Sequence, residues 1–125
     1  MKQVIDWFEI PVSDMSRAQA FYETVLQTTL HRENFAGPNT QMMVFKEDGH
    51  RAKGALLSGH PALQPGTSGT LVYLHAGASL DAALQRVVMA GGQVAMAKVA
   101  LPGGVGFMAH MLDADGNRVG SHAYA

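Results

Sequence analysis

The sequence predicts an α+β fold built from two tandem β-α-β-β-β modules. The first observation is a repeated order of patterns: an alternating strand, an amphipathic helix and three further strands occur twice along the chain. The second is the spacing of two Asp-Gly hairpin turns, whose glycines, Gly49 and Gly116, lie 67 residues apart. The two predicted helices are offset by a similar shift of about 65 residues, and repetition at one period is typical of a duplicated architecture.

The first module is predicted to span about 3–57. Its opening stretch, VIDWFEIPV, alternates and is rich in β-forming residues. Ser13 and Asp14 then supply side chains that cap a helix, and apolar residues follow at helical spacing. The predicted elements are a strand at 4–12, a helix at 15–27 and strands at 29–35, 41–46 and 51–57, the last two joined by a turn at Asp48 and Gly49.

A linker is predicted at 58–68, because that stretch is rich in Pro and Gly. The second module is predicted to span about 69–123, and Gly91 and Gly92 end its helix. The predicted elements are a strand at 70–76, a helix at 80–90 and strands at 93–101, 106–112 and 118–123.

Composition narrows the classes of protein. A chain of 125 residues, 47% of them hydrophobic, is long enough for one domain with one core. The net charge is -1 and the basic residues are scattered, which argues against a nucleic-acid partner. The absence of cysteine excludes disulfides and zinc–thiolate sites. No apolar run has the length of a signal peptide or membrane span, so we expect a cytoplasmic protein with no membrane partner.

The stretch MLDADGNRVGSHA, residues 111–123, combines the opening of a calcium loop with the pattern of a tight turn. A calcium loop of the EF-hand kind needs an acidic residue at its twelfth position, and counting from Asp113 that position is Tyr124. The flanking patterns are strands rather than helices. We therefore predict a hairpin turn in which Gly116 adopts a positive φ, with Asp113 and Asn117 hydrogen-bonded to the turn backbone.

Two stretches, WFEIPVSDMSRAQAFYETVL (7–26) and LDADGNRVG (112–120), resemble the glyoxalase / bleomycin-resistance / extradiol-dioxygenase superfamily, also called the vicinal-oxygen-chelate fold. The resemblance covers essentially the whole chain and agrees with the duplicated pattern. It implies two modules side by side whose curved mixed sheets enclose a cavity.

Enzymes of that superfamily usually hold a divalent metal through four strand residues, typically His and Glu. Carried over to this sequence, the four positions fall at Trp7, Gly54, Val72 and Gly120, and none of these residues is a metal ligand. The resemblance is therefore to a member that lacks the usual metal ligands. No cofactor is expected, and a divalent metal would need ligands elsewhere.

Strand periodicity indicates which side chains face such a cavity. Trp7 and Glu9 share one face of the first strand, and Gly120 and His122 share one face of the last. The opposite face of the first strand is apolar and is predicted to pack on the helices; it carries Phe8, Ile10 and Val12. Gly120, which has no side chain, is expected to leave room for a ligand or for a large neighbour such as Trp7.

Glu9 and His122 are the candidate catalytic residues, since such a pair can act as a general acid or base. Three interpretations stay open for them: they hydrogen-bond to each other or to the backbone, they contact a ligand, or they form a shifted metal site completed by His75. The candidate ligand-binding residues are Trp7, Gly120, Phe107 and His75. His110 is interpreted as a satisfied sheet residue and Arg118 as a solvated charge.

Three hypotheses for function follow. The first is a metal-independent protein of the glyoxalase / bleomycin-resistance type that binds a small hydrophobic or aromatic molecule between the modules. The second is a metal-dependent lyase, isomerase or dioxygenase whose site has moved to Glu9, His122 and His75. The third is a non-catalytic dimeric interaction module. A homodimer is expected in each case, with apolar sheet residues available at Met42, Met96 and Met108.

Overall fold

The computed structural model describes residues 4–34, 37–46 and 52–125. Within these residues the chain forms two helices and two four-stranded sheets, which confirms the predicted α+β class. The first sheet and helix comprise β1 (Phe8–Pro11), α1 (Met15–Leu26), β2 (Leu30–Glu33), β3 (Gln41–Phe45) and β4 (Gly54–Ser58). The second comprise β5 (Tyr73–His75), α2 (Leu80–Met89), β6 (Gln93–Ala100), β7 (Phe107–Leu112) and β8 (Arg118–Ala123), with a short 3₁₀ turn at Pro102–Gly104.

The two sheets have the same topology, which confirms the duplicated architecture. Their strand orders are β1-β4-β3-β2 and β5-β8-β7-β6. In each sheet the first and last strands of the module pair in parallel, and the other neighbours pair antiparallel. The parallel pairs place Phe8 opposite Gly54 in the first sheet and Tyr73 opposite Gly120 in the second.

β1 and β5, each an edge strand of its sheet, are shorter than the sequence predicts. The first begins at Phe8 rather than at residue 4, and Val4 and Ile5 are exposed. The fifth covers only Tyr73–His75 of the predicted 70–76. Apolar alternation marks β propensity, but a strand extends only as far as a neighbour supplies hydrogen bonds. The predicted turn at Asp48 and Gly49 lies outside the described residues.

Both helices begin at a capping side chain, and the sequence predicted the cap of α1. Asp14 accepts a hydrogen bond from the backbone N–H of Arg17 (3.1 Å), and Ser79 accepts one from Ala82 (3.2 Å). The inward stripe of α1 packs on Ile10 and Val12, as predicted for that face of β1. The buried stripes are Met15, Ala18, Phe21, Tyr22 and Val25 on α1, and Leu80, Ala83 and Val87 on α2. Neither helix is long or apolar enough to cross a membrane.

The hairpin between β7 and β8 is the predicted turn. Asp113 Oδ1 accepts hydrogen bonds from the backbone N–H groups of Asp115 and Asn117, both at 2.9 Å, and Gly116 has a φ of 83°. The Asn117 amide also donates to the carbonyl of Pro11 (2.7 Å) and accepts from Gly66 N–H (2.9 Å). The hydrogen bonds of Asn117 therefore connect the end of β1 and the linker to the second sheet.

A buried tyrosine reaches the same turn from α1. The Tyr22 hydroxyl donates to Asp113 Oδ2 over 2.6 Å, and both residues are buried. Burial, together with the adjacent Asp113 carboxylate, raises the pKa of Tyr22 well above its ordinary value of 10.0. The hydroxyl consequently stays protonated and links the first helix to the second module.

Candidate ligand-binding site

The register of the second sheet defines one face that points away from α2. Cross-strand partners in a sheet share a face, so Gly120 shares its face with Tyr73 and His110, and His122 shares it with His75 and Met108. We call this surface the Tyr73 face; its members are Tyr73, His75, Met108, His110, Arg118, Gly120 and His122. The predicted parity of Gly120 and His122 is therefore correct.

Gly120 is covered by an aromatic ring. A Cβ at this position would lie 2.7 Å from Cγ of Tyr73 and closer still to two other ring carbons, so only glycine fits beneath the ring. The sequence predicted room for a ligand or for a large neighbour such as Trp7, and the large neighbour that lies over Gly120 is Tyr73. The reason is register, because Tyr73 is the direct partner of Gly120 in the parallel β5–β8 ladder.

The Tyr73 hydroxyl belongs to a polar chain. It lies 2.7 Å from Nε2 of His110, whose other ring nitrogen, Nδ1, lies 3.0 Å from NH1 of Arg118. A guanidinium can only donate, so Nδ1 must accept and the imidazole hydrogen resides on Nε2. His110 Nε2–H then donates to the tyrosine oxygen, and the tyrosine's own hydrogen is directed elsewhere. Met108 Sδ, 3.5 Å away, is a weak acceptor for it.

Glu9 and His122 do not pair with each other. Glu9 is exposed and its Oε2 accepts from Nε1 of Trp7 over 3.2 Å. His122 Nε2 donates to the carbonyl of Val105 over 2.7 Å, and its ring meets Tyr124 edge to face at 4.9 Å. The predicted acid–base pair is therefore not formed. An exposed carboxylate is hydrated by solvent and needs no paired partner inside the protein.

The remaining predicted site residues divide between the two sides of the sheet. His75 lies directly beside His122 and is exposed on the Tyr73 face. Phe107 instead pairs with Ala123 and packs against the buried alanines beneath α2, with Lys98 Nζ 4.3 Å above its ring. Its strand parity therefore points it toward the helix and away from the Tyr73 face.

Trp7 lies one residue before β1, and its indole N–H donates to Glu9 on that strand. A small cleft of about 150 Å³ is lined by Glu9 together with Arg118 and Asn117. Glu9 therefore lies near the start of β8, where Arg118 begins the strand.

The four inherited metal positions do not fit a metal ion. Neither Trp7 nor Val72 has a side-chain atom that coordinates a metal ion, and Val72 packs against the main core. Gly54 and Gly120 each lie under an aromatic ring, Phe8 and Tyr73 respectively. Among residues 4–34, 37–46 and 52–125, no three His, Asp or Glu side chains converge on one point. Glu9, His75 and His122 therefore form no shifted metal site in this structure.

Tyr73, His110 and Arg118 were not predicted as site residues. The repeat offers the signal that finds Tyr73, because a shift of 65 residues carries Phe8 onto Tyr73 and a shift of 66 carries Gly54 onto Gly120. No sequence signal joins His110 to Arg118, because their contact depends on the β7–β8 register. His110 was interpreted as a sheet residue whose hydrogen bonds are satisfied, and both of its ring nitrogens do have partners. Those partners are the Tyr73 and Arg118 side chains, which lie on the Tyr73 face.

Comparison with known proteins identifies the class. The sequence model of the Glyoxalase/Bleomycin resistance protein/Dioxygenase superfamily matches residues 4–120. The chain therefore belongs to this superfamily, as its sequence predicts. No curated protein matches it.

Solved structures share the fold at low identity. A glyoxalase/bleomycin resistance protein from Streptomyces sp. CB03234 has a TM-score of 0.67 at 24% identity, over 95% of this chain and 99% of that one. TnmS3, an antibiotic binding protein from the same organism, has a TM-score of 0.65 at 24% identity, over 97% and 95%. A glyoxalase I mutant from Zea mays has a TM-score of 0.71 at 18% identity over 94% of this chain, which spans only 45% of the maize chain.

Proposed function

We propose that this protein binds a small aromatic or hydrophobic molecule on the Tyr73 face and that binding needs no metal. The observation that carries the proposal is the ring of Tyr73 lying across Gly120. The ring occupies the place from which the resemblance implies a metal ligand would project. It replaces that ligand with an aromatic surface that is 43% exposed.

The polar chain behind the ring specifies one feature of the ligand. Because His110 donates to the tyrosine oxygen, the hydroxyl hydrogen of Tyr73 is available to an incoming acceptor. Met108 competes only through a thioether sulfur, which is a weak acceptor. The preferred ligand therefore carries a carbonyl or ether oxygen at the edge of an aromatic system.

Two related proteins support the proposal. TnmS3 is an antibiotic binding protein, and the second Streptomyces protein is a glyoxalase/bleomycin resistance protein. Both match nearly the full length of this chain. By analogy we propose binding of an aromatic natural product or drug rather than turnover of a metal-chelated substrate.

The test is a binding screen with bleomycin and a panel of aromatic ketones, performed with metal-free protein. Tyr73→Leu should weaken binding of the best ligand by about tenfold or more, since it removes both the ring and the hydroxyl. Tyr73→Phe should keep the ring and lose only the hydrogen bond. Met89→Leu, a change at an exposed apolar residue on α2, away from the Tyr73 face, is the control. Equal binding by the parent and by Tyr73→Leu would overturn the proposal.

We also propose that the protein is a homodimer. Exposed apolar side chains concentrate in and around the second sheet, including Val94, Val99 and Val105. Met42, predicted as a surface residue, is buried in the first sheet and is not available to an interface. The cytoplasmic location stays a prediction from the sequence.

A further inference from the structure

We propose that a second site, a cleft between the two modules, binds a small amphipathic anion such as an aromatic carboxylate. We call it the module cleft. It has a volume of about 500 Å³ and combines apolar side chains with two lysines: Phe8, Leu26, Phe45, Leu74, Lys46 and Lys53. The volume lies within the range that is usual for small-molecule pockets.

The apolar wall of the module cleft is rigid. The rings of Phe8 and Phe45 lie 5.8 Å apart, centroid to centroid, and Tyr22 meets Phe45 edge to face at 5.7 Å. Phe8 is pressed onto the backbone of Gly54, where any Cβ would overlap its ring. A preformed aromatic wall binds a flat apolar body without the cost of ordering the side chains.

The two lysines supply the charge. Lys46 follows β3 and Lys53 precedes β4, and both are exposed. The backbone carbonyl of Lys53 accepts from Phe8 N–H over 3.1 Å, which fixes the lysine beside the aromatic wall. Within the part of the chain that the structure describes, neither ammonium group has a salt-bridge partner. Two cations beside an apolar cleft favour a ligand with one apolar end and one anionic end.

The module cleft adjoins the Tyr73 face, and His75 lines both. Phe8 and Gly54 lie on the side of the first sheet that packs toward the helical core, whereas Tyr73 and Gly120 lie on the helix-free side of the second. Thr28 and Lys46 line the cleft and are not part of the Tyr73 face, so changes at these two residues distinguish binding at the two places. This inference does not depend on the proposed function.

The test uses naphthoate as the probe and its neutral amide as the chemical control, both titrated by calorimetry. The Lys46→Gln/Lys53→Gln double variant should bind naphthoate about tenfold more weakly and bind the amide unchanged. Lys98→Gln, at a lysine on β6 outside the cleft, should match the parent. Thr28→Trp should prevent binding of both probes, because Thr28 lines the cleft and the larger side chain would fill it. Thr28→Leu is a smaller cleft-filling (plug) variant for use if the tryptophan variant does not fold.

Three results would overturn the inference. One is naphthoate affinity unchanged in the double lysine variant. Another is binding unaffected by a folded plug variant. The third is loss of naphthoate binding in Tyr73→Leu, which would assign the probe to the Tyr73 face. Retained naphthoate binding in Tyr73→Leu, with loss in the lysine variant, supports the module cleft whether or not the proposed function holds.

Discussion

Tyr73 lies across Gly120, its direct partner in the parallel β5–β8 ladder, so closely that position 120 has no room for a Cβ. The same relationship holds between Phe8 and Gly54 in the first module. The two aromatic rings lie in different environments. Phe8 packs against the main core, whereas Tyr73 is exposed on the helix-free face of its sheet. The Phe8–Gly54 pair of the first module is therefore a core contact, and the Tyr73–Gly120 pair of the second module is a candidate ligand surface.

The first prediction concerns this packing. Gly120→Ala should lower the free energy of unfolding by about 1–3 kcal/mol, because the methyl group must displace the Tyr73 ring or the backbone. Chemical denaturation provides the measurement. Gly66→Ala is the matched control, since a Cβ there meets open space and Gly66 has no positive φ. Adding Tyr73→Ala to Gly120→Ala should recover part of the loss, and stability of Gly120→Ala equal to that of the control would contradict the packing described.

A second prediction concerns metal. Removing divalent ions with a chelator should leave the melting temperature unchanged, because the described residues contain no cluster of His, Asp and Glu that would link metal binding to folding. Gly120→Glu should not create tight metal binding, since the other inherited positions still lack donors. Thermal melts with and without chelator, repeated with added zinc, provide the measurement. A fall of several degrees on chelation that one metal reverses would show this prediction to be wrong.

The Tyr22–Asp113 hydrogen bond leads to a third prediction. The pKa of Tyr22 is raised in the folded protein, so its contribution to stability is complete below the ordinary tyrosine value of 10.0. That contribution is lost as the pH rises from about 10 toward the folded-state pKa, because the unfolded chain releases the proton first. Urea denaturation at several alkaline pH values measures the slope.

Tyr22→Phe is the variant that tests the cause. At neutral pH it should lower the free energy of unfolding by about 1–3 kcal/mol, since buried Asp113 loses a donor. Above pH 10 its stability should fall less steeply than that of the parent. Tyr124→Phe, at an exposed tyrosine, should leave both quantities unchanged. An identical alkaline slope in parent and Tyr22→Phe would assign the pH dependence to another group.

The fourth prediction concerns the imidazole of His110. In its neutral form the hydrogen should reside on Nε2, because Arg118 can only donate to Nδ1. Nitrogen-15 NMR of the histidine rings distinguishes the tautomers. In Arg118→Met the constraint on Nδ1 is removed and the tautomer ratio should shift, whereas Arg86→Met, on α2, should leave it unchanged. A neutral His110 with its hydrogen on Nδ1 would contradict the hydrogen bond that His110 Nε2–H donates to the Tyr73 oxygen.

Association gives the fifth prediction. Sedimentation at micromolar concentration should show a species of about twice the chain mass of 13.3 kDa. Val99→Asp, at an exposed apolar position on β6, should favour the monomer if the second sheet forms the interface. Sedimentation of the parent only as a 13.3 kDa species would show that the apolar surface serves another purpose.

The sequence by itself determined the order of the elements, the capping of the first helix, the Asp113–Asn117 turn and the faces of β1 and β8. These features follow from residues close together in the chain, through periods of 2.0 and 3.6 residues and turn chemistry. Only the tertiary structure decided that Tyr73 covers Gly120, that His122 bonds to Val105 rather than to Glu9, and that Phe107 faces α2. Each of these depends on the register or the ends of strands, and a shift of one residue reverses the face of every side chain in a strand.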